Sequence, residues 1–177
     1  MKHLHSELLV RGRVFDVTRE QIQLANGKTV AREIVQHPGA VVILPLTAAG
    51  NLLLLRQYRA ALSETILELP AGTLERSEEP LACAKRELEE ETGYTAAKWS
   101  PLGLLYPAPG FCSERQHCFF AEALSIDPES TAAADEDEVL ELVEMSVAEV
   151  EAAILGAALR DAKSIACIFR AKLSGLL

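Results

Sequence analysis

The sequence predicts an α/β layered domain preceded by an antiparallel β arm, and three observations carry that reading. Two polar–apolar segments flank Asn26-Gly27, the signature of a tight hairpin. Short runs apolar on every position, residues 40–44 and 52–55, read as strands buried between layers. A helical pattern then lies between Pro80 and Gly93, and two more follow Ser146 and Asp161.

The elements follow in order. Residues 20–24 alternate, Asn26-Gly27 supplies the positive-φ turn, and residues 29–35 return as the second strand. His37-Pro38-Gly39 punctuates. A lone hairpin is marginal in water. Residues 1–38 therefore read as an arm that packs on its own domain or on a second copy of the chain, with 39–177 as the main domain. Gly50-Asn51 turns the chain into the second apolar run, which leads to Arg56-Gln57-Tyr58-Arg59. Pro80 suits a first helical turn and Gly93 a C-terminal cap. Between them Leu81, Ala84, Leu88 and Thr92 form a narrow apolar stripe. Strands are expected over 102–106, 116–124 and 139–145. Ser146-Val147-Ala148-Glu149 is a capping-box sequence whose helix Gly156 can end. Asp161 caps the last helix, with Ile165, Ile168, Phe169 and Leu173 expected on one face. Residues 128–138, rich in alanine and acids, are expected to form a mobile loop.

Composition narrows the function. Hydrophobic residues make up 49% of the 177 and charged residues 24%, ordinary for one globular domain. Seventeen Lys+Arg stand against 26 Asp+Glu, a formal charge of −9, which argues against broad binding to nucleic acid or anionic membranes. Cys83, Cys112, Cys118 and Cys167 form no Cys-x-x-Cys pair and no zinc spacing, so they read as thiols in a reducing compartment. The first residues lack a signal-peptide core, and no run reaches the ~18 apolar residues of a spanning helix. A soluble cytoplasmic protein is expected.

The chemically loaded segment is Lys85-Arg86-Glu87-Leu88-Glu89-Glu90-Glu91. On a helix Glu87, Glu90 and Glu91 fall within an arc of about 100°. Like charges spaced i, i+3 and i, i+4 repel by roughly 0.2–0.5 kcal/mol per pair. The C-terminal half of a helix disfavours each acid by a further ~0.3–1 kcal/mol. Either this is a solvated acidic face, or bound cations offset the repulsion. Hard oxygen donors on a rigid helix suit Mg²⁺ or Mn²⁺, and magnesium completes its shell with water and substrate phosphates.

The acids do not stand alone. Residues 72–94 read GTLERSEEPLACAKRELEEETGY, with Gly72, Glu78, Arg86, Glu87, Leu88, Glu90, Glu91 and Gly93 matching the pattern G-x5-E-x7-R-E-U-x-E-E-x-G-U, where U is apolar. The segment resembles the Nudix box. Tyr94 is its one loose position, where the pattern prefers an aliphatic residue. Glu68-Leu69-Pro70-Ala71, Arg56-Gln57-Tyr58-Arg59, Tyr106-Pro107-Ala108-Pro109-Gly110-Phe111 and Asp161-Ala162-Lys163 are similar to the ADP-ribose pyrophosphatase branch, with Pro109 at a subfamily marker position.

The resemblance implies an α/β/α sandwich with a mixed sheet and a metal-dependent hydrolase. ADP-ribose would be cleaved to AMP and ribose 5-phosphate, by a homodimer joined through the arm. Another nucleoside diphosphate sugar such as GDP-mannose, a dinucleotide, or a non-catalytic ADP-ribose sensor are the alternatives. Carried over by position, Glu87 and Glu91 are metal ligands, Glu90 is a further ligand or a base, and the Ala71 carbonyl completes the set. Glu78 is structural or organises metal, Arg86 orients carboxylates, and Glu89 faces solvent. The base comes from Asp135-Glu136-Asp137-Glu138, with Glu138 favoured over Glu136. A guanidinium fork suits a diphosphate, so Arg56 and Arg59 are substrate contacts or surface ion pairs, and the resemblance favours contact for Arg59. Arg32 and Glu33 would reach a partner's site if the arm is exchanged. Glu114 is a candidate for substrate or the metal shell, and Tyr58, Tyr106 and Phe111 are core residues or stack on adenine.

Overall fold

The computed structural model describes residues 1–126 and 139–177. The acidic segment with Glu136 and Glu138 lies outside the described residues.

Among the described residues ten strands form three sheets, accompanied by three helices. The arm is an antiparallel sheet of β1 (Lys2–Arg11), β2 (Asp16–Gln23) and β3 (Thr29–Gln36), in that order. Its first strand is fully solvent-exposed, which is why no periodic pattern announced it. Glu20 is buried in this sheet, with His3 at 2.5 Å and the Ser6 hydroxyl at 2.8 Å. Hydrogen bonds from Thr18, His3 and Ser6 hold its pKa down to about 2. The arm is fastened to the loop after residue 106: the Val35 amide donates to the Phe111 carbonyl at 2.8 Å, and the Ser113 amide to the Val35 carbonyl at 2.9 Å.

The central sheet joins β7 (Ala71–Thr73), β4 (Ala40–Pro45), β9 (Gln116–Ile126) and β8 (Tyr94–Leu105) in that order, with β4 parallel to β9 and the other pairs antiparallel. Every residue of β4 is buried, and its alternation divides the core. Val42 and Leu44 join Leu52, Leu54, Phe120 and Ile168 on one face. Val41 and Ile43 join Cys83, Ala84, Leu88 and Ala121 on the other. The latter three-residue set of Cys83, Ala84 and Leu88 belongs to helix α1 (Pro80–Thr92), while Ile168 belongs to helix α3 (Ala162–Leu173), so the two helices cover opposite faces. The third sheet, β10-β5-β6, joins β5 (Asn51–Arg59) to β6 (Glu64–Glu68) and β10 (Leu140–Ser146). Helix α2 (Val147–Leu155) opens with the expected capping box at Ser146 and Glu149.

Several boundaries differ from the sequence reading. β8 spans Tyr94–Leu105 and starts directly after the left-handed Gly93 (φ 73°), eight residues before the expected strand. β6 and the three-residue β7 (Ala71–Thr73) were not anticipated. The buried face of α1 is Cys83, Ala84, Leu88 and Glu91, rotated so that Leu81 is partly exposed. On α3 the core takes Ser164, Cys167, Ile168 and Ala171, leaving Phe169 and Leu173 largely in solvent. Small and polar residues here meet the sheet closely, where an apolar count favours the larger neighbours. Among the described residues no helix is long and apolar enough to cross a membrane.

Candidate active site

Strand β7 brings the glycine-bearing segment against β4, pairing Gly72 with Val41 and Ala71 with Val42. The chain then turns through residues 74–79 into α1, folding the acid-bearing helix back over β7. The approach is close. A Cβ built on Gly72 would lie 1.8 Å from the Glu87 carboxyl carbon and 2.0 Å from its Oε1, so Glu87 holds this position only because residue 72 has no side chain.

Arg86 organises the acids around it. Its Nε and an Nη reach the two Glu78 oxygens at 3.1 and 3.2 Å, and Nη1 lies 2.8 Å from both Glu87 and Glu90. The guanidinium holds the Glu78 carboxyl below its ordinary range, while Glu78 in turn raises the Arg86 pKa further. Glu91 is buried, and its Oε2 accepts the Ala71 amide at 3.0 Å. That bond ties the end of the helix to the backbone that precedes Gly72. Burial, with the nearby Glu78 and Glu87 charges, pushes the Cys83 thiol up to about 12, which makes it inert as a nucleophile.

Gly72, Arg86, Glu87, Glu90 and Glu91 line a cleft of about 620 Å³ that also receives Gln57, Arg59 and Arg13. A second cleft of about 260 Å³ shares Arg59, Ala71, Gly72 and Thr73 with the first and adds Glu68, Glu114, Gln116, Asp161 and Lys163. The Gln116 amide nitrogen donates to Glu114 at 2.9 Å, and its buried Oε1 has no hydrogen-bond partner among the described residues.

Of the residues singled out from sequence, Ala71, Glu87, Glu90, Glu91 and Arg59 meet in the larger cleft and Glu114 in the smaller. Arg56 lines neither; it is half-exposed and 3.7 Å from Glu141 across the β5–β10 pair. Arg32 sits exposed on β3, donating to the Ala31 carbonyl, and Glu33 is paired with Arg19 at 3.0 Å. Tyr58, Tyr106 and Phe111 are exposed rather than core. Sequence reasoning missed Arg13, which lies between β1 and β2 and carries no periodic signal, and Gln57, whose polar side chain is buried. It also missed Glu68, although the residue stands in a segment already noted.

The donor set fits a hard divalent cation. Three carboxylates and a backbone segment border one polar cleft, and Gly72, having no Cβ, lets the Glu87 carboxylate lie against that backbone. Among the described residues Arg86 bridges Glu87 and Glu90 while the Ala71 amide binds Glu91, so the three acids line one cleft without closing on a single point.

Comparison with known proteins matches the same region. The NUDIX domain family model covers residues 35–166. The chain is 43% identical to an ADP-ribose pyrophosphatase of Bacillus subtilis over 92% of its length and 88% of the relative's. It is 38% identical to a methanol dehydrogenase activator of Bacillus methanolicus, over 94% of this chain and 90% of that one. A crystal structure described as an ADP compounds hydrolase superposes with a TM-score of 0.84 at 25% identity, covering 99% of this chain and 95% of the other. With the motif, the layered fold and the family match falling on the same residues, the chain belongs to the Nudix family.

Proposed function

We propose that the protein hydrolyses the diphosphate bond of ADP-ribose, giving AMP and ribose 5-phosphate, with Mg²⁺ or Mn²⁺ as cofactor. The observation that carries this is the convergence of Glu87, Glu90 and Glu91 with Arg59 in one cleft over Gly72. The likeness to the Bacillus subtilis ADP-ribose pyrophosphatase supports the choice of substrate.

In this reading Glu87, Glu91 and the Ala71 carbonyl hold the metal, with Glu90 a further ligand or a base. The bound cation supplies charge neutralisation on the phosphoryl oxygens and lowers the pKa of the attacking water. Arg59 binds the diphosphate by its planar fork, which suits paired phosphate oxygens. Glu114, in the second cleft, contacts the substrate or belongs to the metal shell. Arg86 keeps the carboxylates oriented. Glu138 takes the proton of the attacking water. Arg56 and Arg32 remain substrate contacts only if a second copy or the acidic segment completes the site around them.

The arm supports a homodimer. Leu4, Leu8, Val10 and Phe15 are all at least 44% exposed there. Light scattering is expected to give a dimer, and deletion of residues 1–38 a monomer; a monomeric full-length chain would remove the arm's proposed role. Four unpaired thiols, three of them buried, support a cytoplasmic setting.

Product analysis on ADP-ribose, GDP-mannose and a dinucleotide tests the substrate. AMP and ribose 5-phosphate should form fastest from ADP-ribose, and faster turnover of GDP-mannose would reject the assignment. Tight binding of ADP-ribose without AMP release in excess Mg²⁺ would make the protein a sensor. Glu138→Gln should lower the rate by about 10²-fold or more while metal binding survives; if Glu136→Gln does so instead, the base is Glu136.

A further inference from the structure

Glu68, the last residue of β6, is a carboxylate withdrawn from water, with a side chain only 2% exposed. Such a group is tolerated when both oxygens are held by cations. Here Oε1 accepts from Arg59 Nε at 2.7 Å, and Oε2 accepts from the Lys163 ammonium. Lys163 also lies 3.0 Å from Asp161, whose carboxylate caps α3. One buried acid thus joins β5, β6 and the start of α3.

The backbone beside Glu68 is fastened on three sides. The Leu69 amide donates to the Ser164 hydroxyl at 2.8 Å, the Ile43 amide to the Pro70 carbonyl at 2.9 Å, and the Ala71 amide to Glu91 at 3.0 Å. Glu68 is therefore a fixed point, while Arg59 is a long side chain, 38% exposed, that lines both clefts. A side chain of this length loses rotamer freedom when it captures a ligand, and holding it beforehand removes that loss.

We propose that Glu68 is a positioning residue that sets the Arg59 guanidinium at the seam between the two clefts before the diphosphate arrives. Lys163 holds the second Glu68 oxygen and so keeps the carboxylate oriented. This inference rests on the reading of Arg59 as a diphosphate contact.

A double-mutant cycle tests it, using kcat and KM on ADP-ribose with Mg²⁺ and the Kd for ADP-ribose without metal. Glu68→Gln should lower kcat/KM by about 10–100-fold in the native background, the scale typical of groups that orient a ligating residue. In the Arg59→Ala background the same change should cost less than about 2-fold, because nothing is left to position. An equal loss in both backgrounds would make Glu68 merely structural and overturn the proposal. No loss in the native background would overturn it too. If Arg59→Ala leaves kcat/KM unchanged in an active enzyme, the positioning claim falls while the hydrolase reading stands. If the native protein turns over no diphosphate, the hydrolase reading falls, and the Kd cycle alone decides: dependence on Arg59 supports positioning and its absence overturns it. Should Glu68→Gln fail to fold, Glu68→Gln with Lys163→Met removes both charges of the buried pair, restores the fold and should show the same dependence on Arg59.

Discussion

Glu91→Gln is expected to lower kcat by about 10³-fold, the several kcal/mol that a correctly held metal contributes, while the fold persists. Glu91 combines two tasks. It is a proposed ligand by motif position, and its Oε2 accepts the Ala71 amide, which ties the ligand helix to the segment that offers a second ligand. Glutamine has the same shape and keeps an acceptor for that amide, so the backbone tie survives and only the charge is lost. The metal-free protein should not suffer. Glu91 lies at the C-terminal end of α1, where the helix dipole disfavours an acid, and one turn after Glu87, which repels it. Thermal melts without metal should therefore show an unchanged or slightly raised midpoint, and steady-state assays in excess Mg²⁺ should show the loss. A normal rate would remove Glu91 from the ligand set.

Gly72→Ala is the second change with a large expected effect, and it acts through geometry alone. The added methyl would sit 1.8 Å from the Glu87 carboxyl carbon and 2.4 Å from its Cγ, so Glu87 must leave its position or the β4–β7 pair must part. The atoms in the way all belong to the flexible Glu87 side chain, so stability should change little if Glu87 is what moves. Displacement of a proposed ligand should cost about 10²-fold or more in kcat. If the damage runs through Glu87, the alanine adds little in a Glu87→Ala background, where the obstructed side chain is already gone. Equal activity losses in both backgrounds would show instead that the strand pair, not the carboxylate, is what the methyl disturbs.

How much of this was visible beforehand depends on what kind of physics places each residue. The helix at 80–92 was legible because proline, glycine and the acid spacing all act locally, and its observed limits agree with those signals. The capping box at Ser146 was legible for the same reason. β1 was not, because a strand with both faces in water leaves no alternation in its sequence. β7 was hidden by its length of three residues, too short for any period. At the site, the acids and Arg59 were accessible from the motif and its neighbours. Arg13 was not, since only the folding of the arm brings the β1–β2 connection to the cleft. Glu68 was the subtlest omission. Nothing in its segment says that the carboxylate is buried, and the cation that holds its second oxygen, Lys163, is 95 residues away in the chain.

The division of the core by β4 has a consequence for how the molecule breathes. Val41 and Ile43 share their side of the sheet with a small apolar group under α1, whereas Val42 and Leu44 belong to a much larger cluster that also anchors α3. Both layers therefore grip the same strand, and α1 adds a tie of its own, Glu91 to the Ala71 amide. Opening on the acid-bearing side is then coupled to β4 rather than independent of it, and amide protons of 80–92 should exchange with solvent together with those of β4. The reactive wall and the structural wall share one backbone between them.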